Sequence, residues 1–498
     1  MEIGTIISLS VYFLAMLGIG LYAFKNTQES SSGYLLGGRQ LGPAVMALSA
    51  GASDMSGWLV MGLPGAMYVS GLSNIWLAMG LIAGAYVNYL IIAPRLRAYT
   101  EIANDSITLP EFFENRFEDK TRLLRIVSSI VIIIFFTVYT SSGVVGGGKL
   151  FESSFGLSYE LGLYITAGVV VMYTLFGGFL AVSMTDFVQG CIMFVALVLV
   201  PIVILIDFGG YSAISETIEV ASATHMDWLA GTTTIGIISA LSWGFGYFGQ
   251  PHIIVRFMAI RSLKEMKVAR RIGMTWMLVA LFGAMATGFF GLAYITKNGI
   301  QLDDPETIFI VLSQVLFHPL IGGFLLAAIL AAIMSTVSSQ LLVTSSSLTE
   351  DVYKAFLKTN ATDKQLVFMG RVCVVIVALI AIGMAYDREG SILDIVANAW
   401  AGFGAAFGPL IIMGLYWKRM TFYGALTGIV VGAATVLVWI YAPFTINGSE
   451  PSKFIYEIVP GFLLSMSAIV GVSLLDKEPS DSIKKMFDEM TRRVREEC

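Results

Sequence analysis

Gly51-Ala52-Ser53-Asp54-Met55-Ser56-Gly57-Trp58 sits inside a long apolar run, residues 41–68. Small residues, two hydroxyls, an acid and two glycines share this segment, and Pro64 follows. Asp54 is the only carboxylate expected near the middle of a span. An acid at the centre of a membrane helix costs about 3 kcal/mol on insertion scales, so it is read as functional by default. The composition of the stretch predicts an interrupted helix lining a polar site, because backbone freed from helical bonding at membrane depth persists only where it lines a cavity or is buried in protein.

The surrounding chain supports that frame. It has 498 residues, 56% hydrophobic and 13% charged, with a mean hydropathy of +0.79. Soluble domains are nearer 45–50% apolar and about 25% charged. The long uninterrupted apolar runs exclude a β-barrel, whose strands alternate, and predict an all-α integral membrane protein. Cys191, Cys373 and Cys498 offer neither zinc spacing nor a disulfide framework. The first apolar segment lacks a basic region and a cleavage site and reads as a retained span.

Runs of roughly 17–25 apolar residues predict 13 spans: 4–24, 41–68, 74–93, 124–145, 161–180, 187–206, 235–255, 274–294, 321–345, 367–384, 392–416, 425–441 and 455–475. They form a single transmembrane domain, residues 1–475, followed by a tail, 476–498, whose final part reads as an amphipathic helix. On this count one face carries only Lys149, Lys297, Arg388 and Lys453, leaving 26 of the 30 Lys and Arg on the other. These include Arg95, Arg97, the Arg116–Arg125 and Arg256–Arg271 groups, and Lys484, Lys485, Arg492, Arg493 and Arg495. The positive-inside rule then puts the N-terminus outside and the C-terminus in the cytoplasm. Basic clusters confined to one face read as topology signals, not as a nucleic-acid surface.

The seventh span is interrupted too, at Trp243-Gly-Phe-Gly-Tyr-Phe-Gly-Gln-Pro251. It lies five spans after the second. Many secondary transporters repeat a five-helix unit in inverted orientation, with broken helices at the midplane site. The units here would be residues 41–206 and 235–416. The ninth span carries Ser335, Thr336, Ser338 and Ser339, more hydroxyls than back-bonding to the helix requires. Hydroxyls and freed carbonyls suit a hard monovalent cation. Trp58, Tyr139, Trp243 and Tyr247 flank these polar points. Asp186 opens the sixth span near its cytoplasmic edge, and Arg39 precedes the second; each reads as a capping or topology residue or as part of an inner gate. Gly143-Val-Val-Gly-Gly-Gly148-Lys149 is followed by Leu150, so it is small-residue packing and not a phosphate loop. His225, His252 and His318 make no metal pattern. With no nucleotide-binding domain and no second acid beside Asp54, the expected protein is no enzyme and draws its energy from an ion gradient.

Three motifs, Ala50-Gly-Ala-Ser-Asp-Met-Ser-Gly-Trp58, Trp243-Gly-Phe-Gly-Tyr-Phe-Gly-Gln-Pro-His252 and Ile329-Leu-Ala-Ala-Ile-Met-Ser-Thr336, resemble those of the sodium:solute symporter family. Within it the resemblance is to the bacterial sodium/proline symporters. Leu36-Gly-Gly-Arg39, Phe117-Glu-Asp-Lys120, Gly177-Gly-Phe-Leu-Ala-Val-Ser183 and Ala399-Trp-Ala-Gly-Phe-Gly-Ala-Ala-Phe-Gly408 match as well. The likeness implies a LeuT-like five-plus-five inverted-repeat core with flanking helices. It implies a sodium ion, a co-transported substrate and not a cofactor, held by backbone oxygens of Ala52, Met55 and Ala332 and by the hydroxyls of Ser335 and Thr336. Asp54, Ser56 and Gly57 would couple that site. Trp58, Tyr139, Trp243, Tyr247 and Pro251 would bind L-proline, and Arg39 and Asp186 would handle ion release on the cytoplasmic side. Ser339 stands where one relative carries Cys, and Met184 replaces a Trp common in the family before the Thr185-Asp186 pair. The implied activity is sodium-coupled L-proline uptake across the cytoplasmic membrane by alternating access. Its partners would be sodium, L-proline and membrane lipid, the chain acting as a monomer without nucleic acid. The alternatives are a sibling symporter for pantothenate, a sugar or another osmolyte, an intramembrane enzyme using Asp54, and a membrane sensor.

Overall fold

The computed structural model describes residues 2–26, 30–386 and 391–497; the expectations placed on Arg388 and Cys498 fall outside them. Among the described residues the chain is helical throughout, with only two isolated bridges, Leu41 to Ile260 and Ile446 to Ser449. Among the described residues, ten helices are long and apolar enough to cross a membrane. One of them, Trp58–Ile102, is 45 residues long and takes in the end of the second expected span and all of the third. Gly71 divides it. That residue has φ 67°, which only glycine adopts without strain, and it presses on the backbone of His225. Two shorter apolar helices, Tyr159–Leu175 and Thr234–Phe248, supply the fifth and seventh spans. The same residues therefore cover all 13 expected crossings.

Boundaries moved in three places that matter. The fifth and sixth spans run on as Tyr159–Asp207, broken at Gly178 with φ 56° and ψ −154°. The sixth span thus begins at the kink, well before residue 187, and Asp186 lies inside it, fully buried, not at its edge. Asp54 is not the only carboxylate within a span. The seventh span's second half is the helix Pro251–Ala259, which contains Arg256. Ending that span at residue 255 had placed Arg256 among the topology signals; it is wholly buried. The ninth helix, Pro319–Ser346, continues through a π-helical segment, Ser347–Leu357, 12 residues past the expected end.

The core is built on close backbone approach. Without a hydrophobic drive between helices in lipid, small residues that let helices touch supply the packing. Gly80 and Gly84 abut the backbones of Leu241 and Gly244, and Gly283 abuts that of Leu197. In Gly143–Gly148, Gly147 lies against Thr166 and Gly148 against Tyr159, consistent with packing. The Pro319–Ser346 helix is the most enclosed, with every residue from Leu325 to Leu342 buried. Further helices, Tyr211–Ala221 and Ile308–Val315, occupy the connections after the sixth and eighth spans. The tail forms the helix Asp481–Glu497, with Ile483, Phe487 and Met490 turned inward.

Candidate functional site

The second span breaks where the sequence indicated. The helix Pro43–Asp54 ends at Met55 (φ −86°, ψ 84°), and a π-helical turn, Trp58–Gly62, restarts it. Such turns recur at functional sites because they release backbone groups from the regular ladder. Gly57 is not what forces the break: its φ of −51° is helical, and a Cβ there would meet Ile333 at an ordinary 3.6 Å. Gly51 is the constrained position, against the indole of Trp276.

Two carbonyls at the end of this helix reach side chains on other helices. Ala52 O accepts from Ser335 Oγ at 2.7 Å and from Thr336 Oγ1 at 3.3 Å. Both hydroxyls also reach Ala332 O, at 3.1 and 3.3 Å. Of the five oxygens assigned to sodium by resemblance, the two hydroxyls therefore each lie within hydrogen-bond distance of both the Ala52 and the Ala332 carbonyl. The fifth residue, Met55, is fully buried three positions beyond Ala52. Asp54 O instead accepts from Trp58 Nε1 at 3.0 Å and from Tyr139 Oη at 3.3 Å. Ser56 is buried beside them, its Oγ 3.5 Å from Trp58 N.

Asp54 is 2% exposed. Tyr247 Oη donates to its Oδ2 at 2.6 Å, and among the described residues its Oδ1 has no partner. Tyr247 belongs to the break in the seventh span, a 3-10 turn over Trp243–Phe248, so one hydrogen bond ties the two interrupted helices together. Asp54 lines a chamber of about 30 Å³ together with Asn88, Tyr89 and Tyr247. Pro251 opens the helix that resumes after the turn; it lacks the N–H that a first-turn residue would leave unpaired.

An aromatic wall stands behind the turn. Trp243 is stacked on Tyr456 (5.3 Å between centroids) and on Trp400 (6.4 Å), and Tyr247 meets Trp400 edge-on at 5.1 Å. Trp400 Nε1 donates to Trp243 O at 2.8 Å and fixes that wall. Neither Trp400 nor Tyr456 was a candidate from the sequence. Trp400 could have been found, because it sits in the 399–408 motif; nothing in the composition distinguishes Tyr456.

Arg39 and Asp186 do not meet. Asp186 Oδ2 accepts from Ser49 Oγ at 2.7 Å and from Arg256 Nη2 at 3.2 Å, with Ser339 Oγ at 3.4 Å. Arg39 pairs with Asp105 at 2.9 Å and donates to Thr100 Oγ1 and to the carbonyls of Ser106 and Met258. The two groups of bonds share the Pro251–Ala259 helix, through Arg256 and Met258. A buried ion pair such as Asp186–Arg256 is costly to break from either side, about 3–5 kcal/mol.

Comparison with known proteins gives the family. The sequence profile of the sodium:solute symporter family matches residues 34–432. The chain is 57% identical to the osmoregulated proline transporter OpuE of Bacillus subtilis, over 99% of each chain. It is 53% identical to sodium/proline symporter 2 of Staphylococcus saprophyticus, over 99% of this chain and 97% of that one. Among solved structures it is similar to the substrate-bound outward-open state of a Na+-coupled sialic acid symporter, with a TM-score of 0.81 at 21% identity over 96% of this chain and 99% of that chain. A closed form of the nucleobase-cation symporter Mhp1 is more distant, with a TM-score of 0.56 at 15% identity over 92% and 98%. A profile covering most of the chain and full-length relatives above half identity leave one assignment: the chain belongs to the sodium:solute symporter family.

Proposed function

We propose that this protein is a sodium-coupled symporter that carries L-proline across the cytoplasmic membrane by alternating access. The observation that carries the reading is the convergence of Ser335 Oγ and Thr336 Oγ1 on Ala52 O at the end of a broken helix. Hydroxyl and carbonyl oxygens gathered at one point suit sodium, a hard cation. On this reading Ala52, Met55 and Ala332 carbonyls and the two hydroxyls bind the ion, and each hydroxyl turns its lone pairs to it and releases the bond to Ala52. Asp54, Ser56 and Gly57 form the coupling segment. The amino acid lies against Trp58, Tyr139, Trp243, Tyr247 and Pro251. Tyr247 bonded to Asp54 is the direct link between the two, so binding of one partner raises affinity for the other by the same factor in both directions. Arg39 and Asp186 belong to separate bonded groups on the path towards the cytoplasm. Residues 41–206 and 235–416 are the inverted repeats, the chain works as a monomer, and it uses no cofactor.

Uptake into proteoliposomes tests this. A sodium gradient is expected to drive proline accumulation. Equal accumulation with a proton gradient and no sodium overturns the sodium assignment. Preference for a sugar or pantothenate in a competition panel overturns the proline assignment and leaves the coupling intact.

A further inference from the structure

His252 closes the Trp243–His252 motif, yet neither the composition nor the family likeness gave it a role. Its side chain is completely buried, and neither Nδ1 nor Nε2 has a hydrogen-bond partner among the described residues. The ring faces aromatic edges instead, Phe136 at 5.3 Å and Tyr139 at 5.8 Å between centroids. Each unsatisfied buried polar group costs about 1–3 kcal/mol, so an imidazole with both nitrogens idle is retained for something it meets in another state. Two residues earlier the side chain of Gln250 is half satisfied. Its Nε2 donates to Trp400 O at 3.1 Å while Oε1, buried, has no partner among the described residues.

The position narrows what that partner is. His252 is the second residue of the helix Pro251–Ala259 and touches Tyr139, whose hydroxyl is bonded to the broken second span. The cation one turn on, Arg256, already spends four of its five N–H groups on Ser49, His252 O, Asp186 and Ser339, and its charge is paired with Asp186. A neutral imidazole offers one donor and one acceptor, and the amide oxygen of Gln250 adds a second acceptor. A zwitterion needs this combination: a donor for its carboxylate and acceptors for its ammonium.

Resting on the amino-acid transport reading above, we propose that His252 is a substrate-binding residue whose ring N–H donates to the carboxylate of the transported amino acid. The aromatic wall of Trp243, Tyr247 and Trp400 then holds the apolar ring, and His252 fixes the polar end.

The test is discrimination between L-proline and L-prolinamide, which keeps the ring and amine and loses the carboxylate. In proteoliposomes, His252→Phe is expected to raise the proline concentration for half-maximal sodium-driven uptake about tenfold, as for loss of a hydrogen bond to a charged group. Inhibition by prolinamide and the sodium dependence at saturating proline stay near wild type. The preference for proline over its amide therefore collapses, a change that a purely structural role does not produce. His252→Ala, which asks for no extra space, carries the same measurement if the Phe variant does not accumulate in the membrane. His252→Gln, with an amide N–H, recovers most of the preference. A variant that keeps the wild-type ratio, or that weakens both ligands equally, overturns the proposal. Absence of sodium-driven proline uptake by the wild type would strike the transport reading itself, before any His252 variant is made.

Discussion

At the scale of single residues, the site is a set of oxygens with few alternatives. Thr336 Oγ1 lies 3.3 Å from both Ala52 O and Ala332 O. Thr336→Ala removes one oxygen and little volume, and is expected to raise the sodium concentration for half-maximal uptake about tenfold; Thr336→Ser should restore it. Asp54→Asn keeps an acceptor for Tyr247 and removes the charge. It is expected to abolish most of the sodium activation with normal membrane abundance, measured by sodium titration beside immunoblotting. Unchanged activation would remove Asp54 from the coupling. The sequence made Asp54 visible because hydropathy isolates an acid in an apolar run. It could not make its partner visible: Tyr247 is 193 positions away, and only tertiary packing joins them. Arg256 was hidden for another reason. Basic residues bunch at the cytoplasmic ends of spans, and a span boundary set four residues short, at 255 where the helix runs to Ala259, turned a buried ion-pair partner into an apparent topology signal.

At the scale of elements, the breaks were readable and the contacts that hold them were not. Gly, Ser and Pro in an apolar run mark a place where helix propensity fails, so both interrupted spans followed from composition. The connection between them follows from surfaces that a sequence does not display. Gly84 lies so close to Gly244 that any side chain would strike the Gly244 carbonyl, and Gly80 makes the same approach to Leu241. The Ile75–Val87 helix therefore rests backbone to backbone on the turn carrying Trp243 and Tyr247. Gly84→Val should push that turn outward, destabilise the protein by about 1–3 kcal/mol through overpacking and weaken proline binding with it. Gly18 has open space around it, so Gly18→Ala serves as the neutral control. Thermal unfolding in detergent with and without proline reads both effects. Equal melting temperatures for the two variants would mean that the approach does not constrain the turn.

At the scale of the whole molecule, the question is which end faces the cytoplasm. Interactions among the charged loops sort by end. Arg493 of the tail pairs with Glu101 at 2.6 Å, Glu101 with Arg97, and Lys418 with Asp488 at 2.6 Å, so the tail helix joins the connections after the third and eleventh spans. Lys149 pairs with Asp304 and Glu306, and Lys297 with Asp207, in the loops of the opposite end. The expectation from the 13-span count is that the two termini lie on opposite sides, and the excess of Lys and Arg predicts a tail inside. Ala223→Cys in the connection after the sixth span and Lys485→Cys in the tail, each made in a background with Cys191, Cys373 and Cys498 replaced by Ser, test this. Both positions are exposed. In intact cells an impermeant maleimide is expected to label the first and to reach the second only after permeabilisation. The reverse pattern would invert the molecule in the membrane, and labelling of both from outside would mean that the number of crossings between the sixth span and the tail is even, which the 13-span count does not allow.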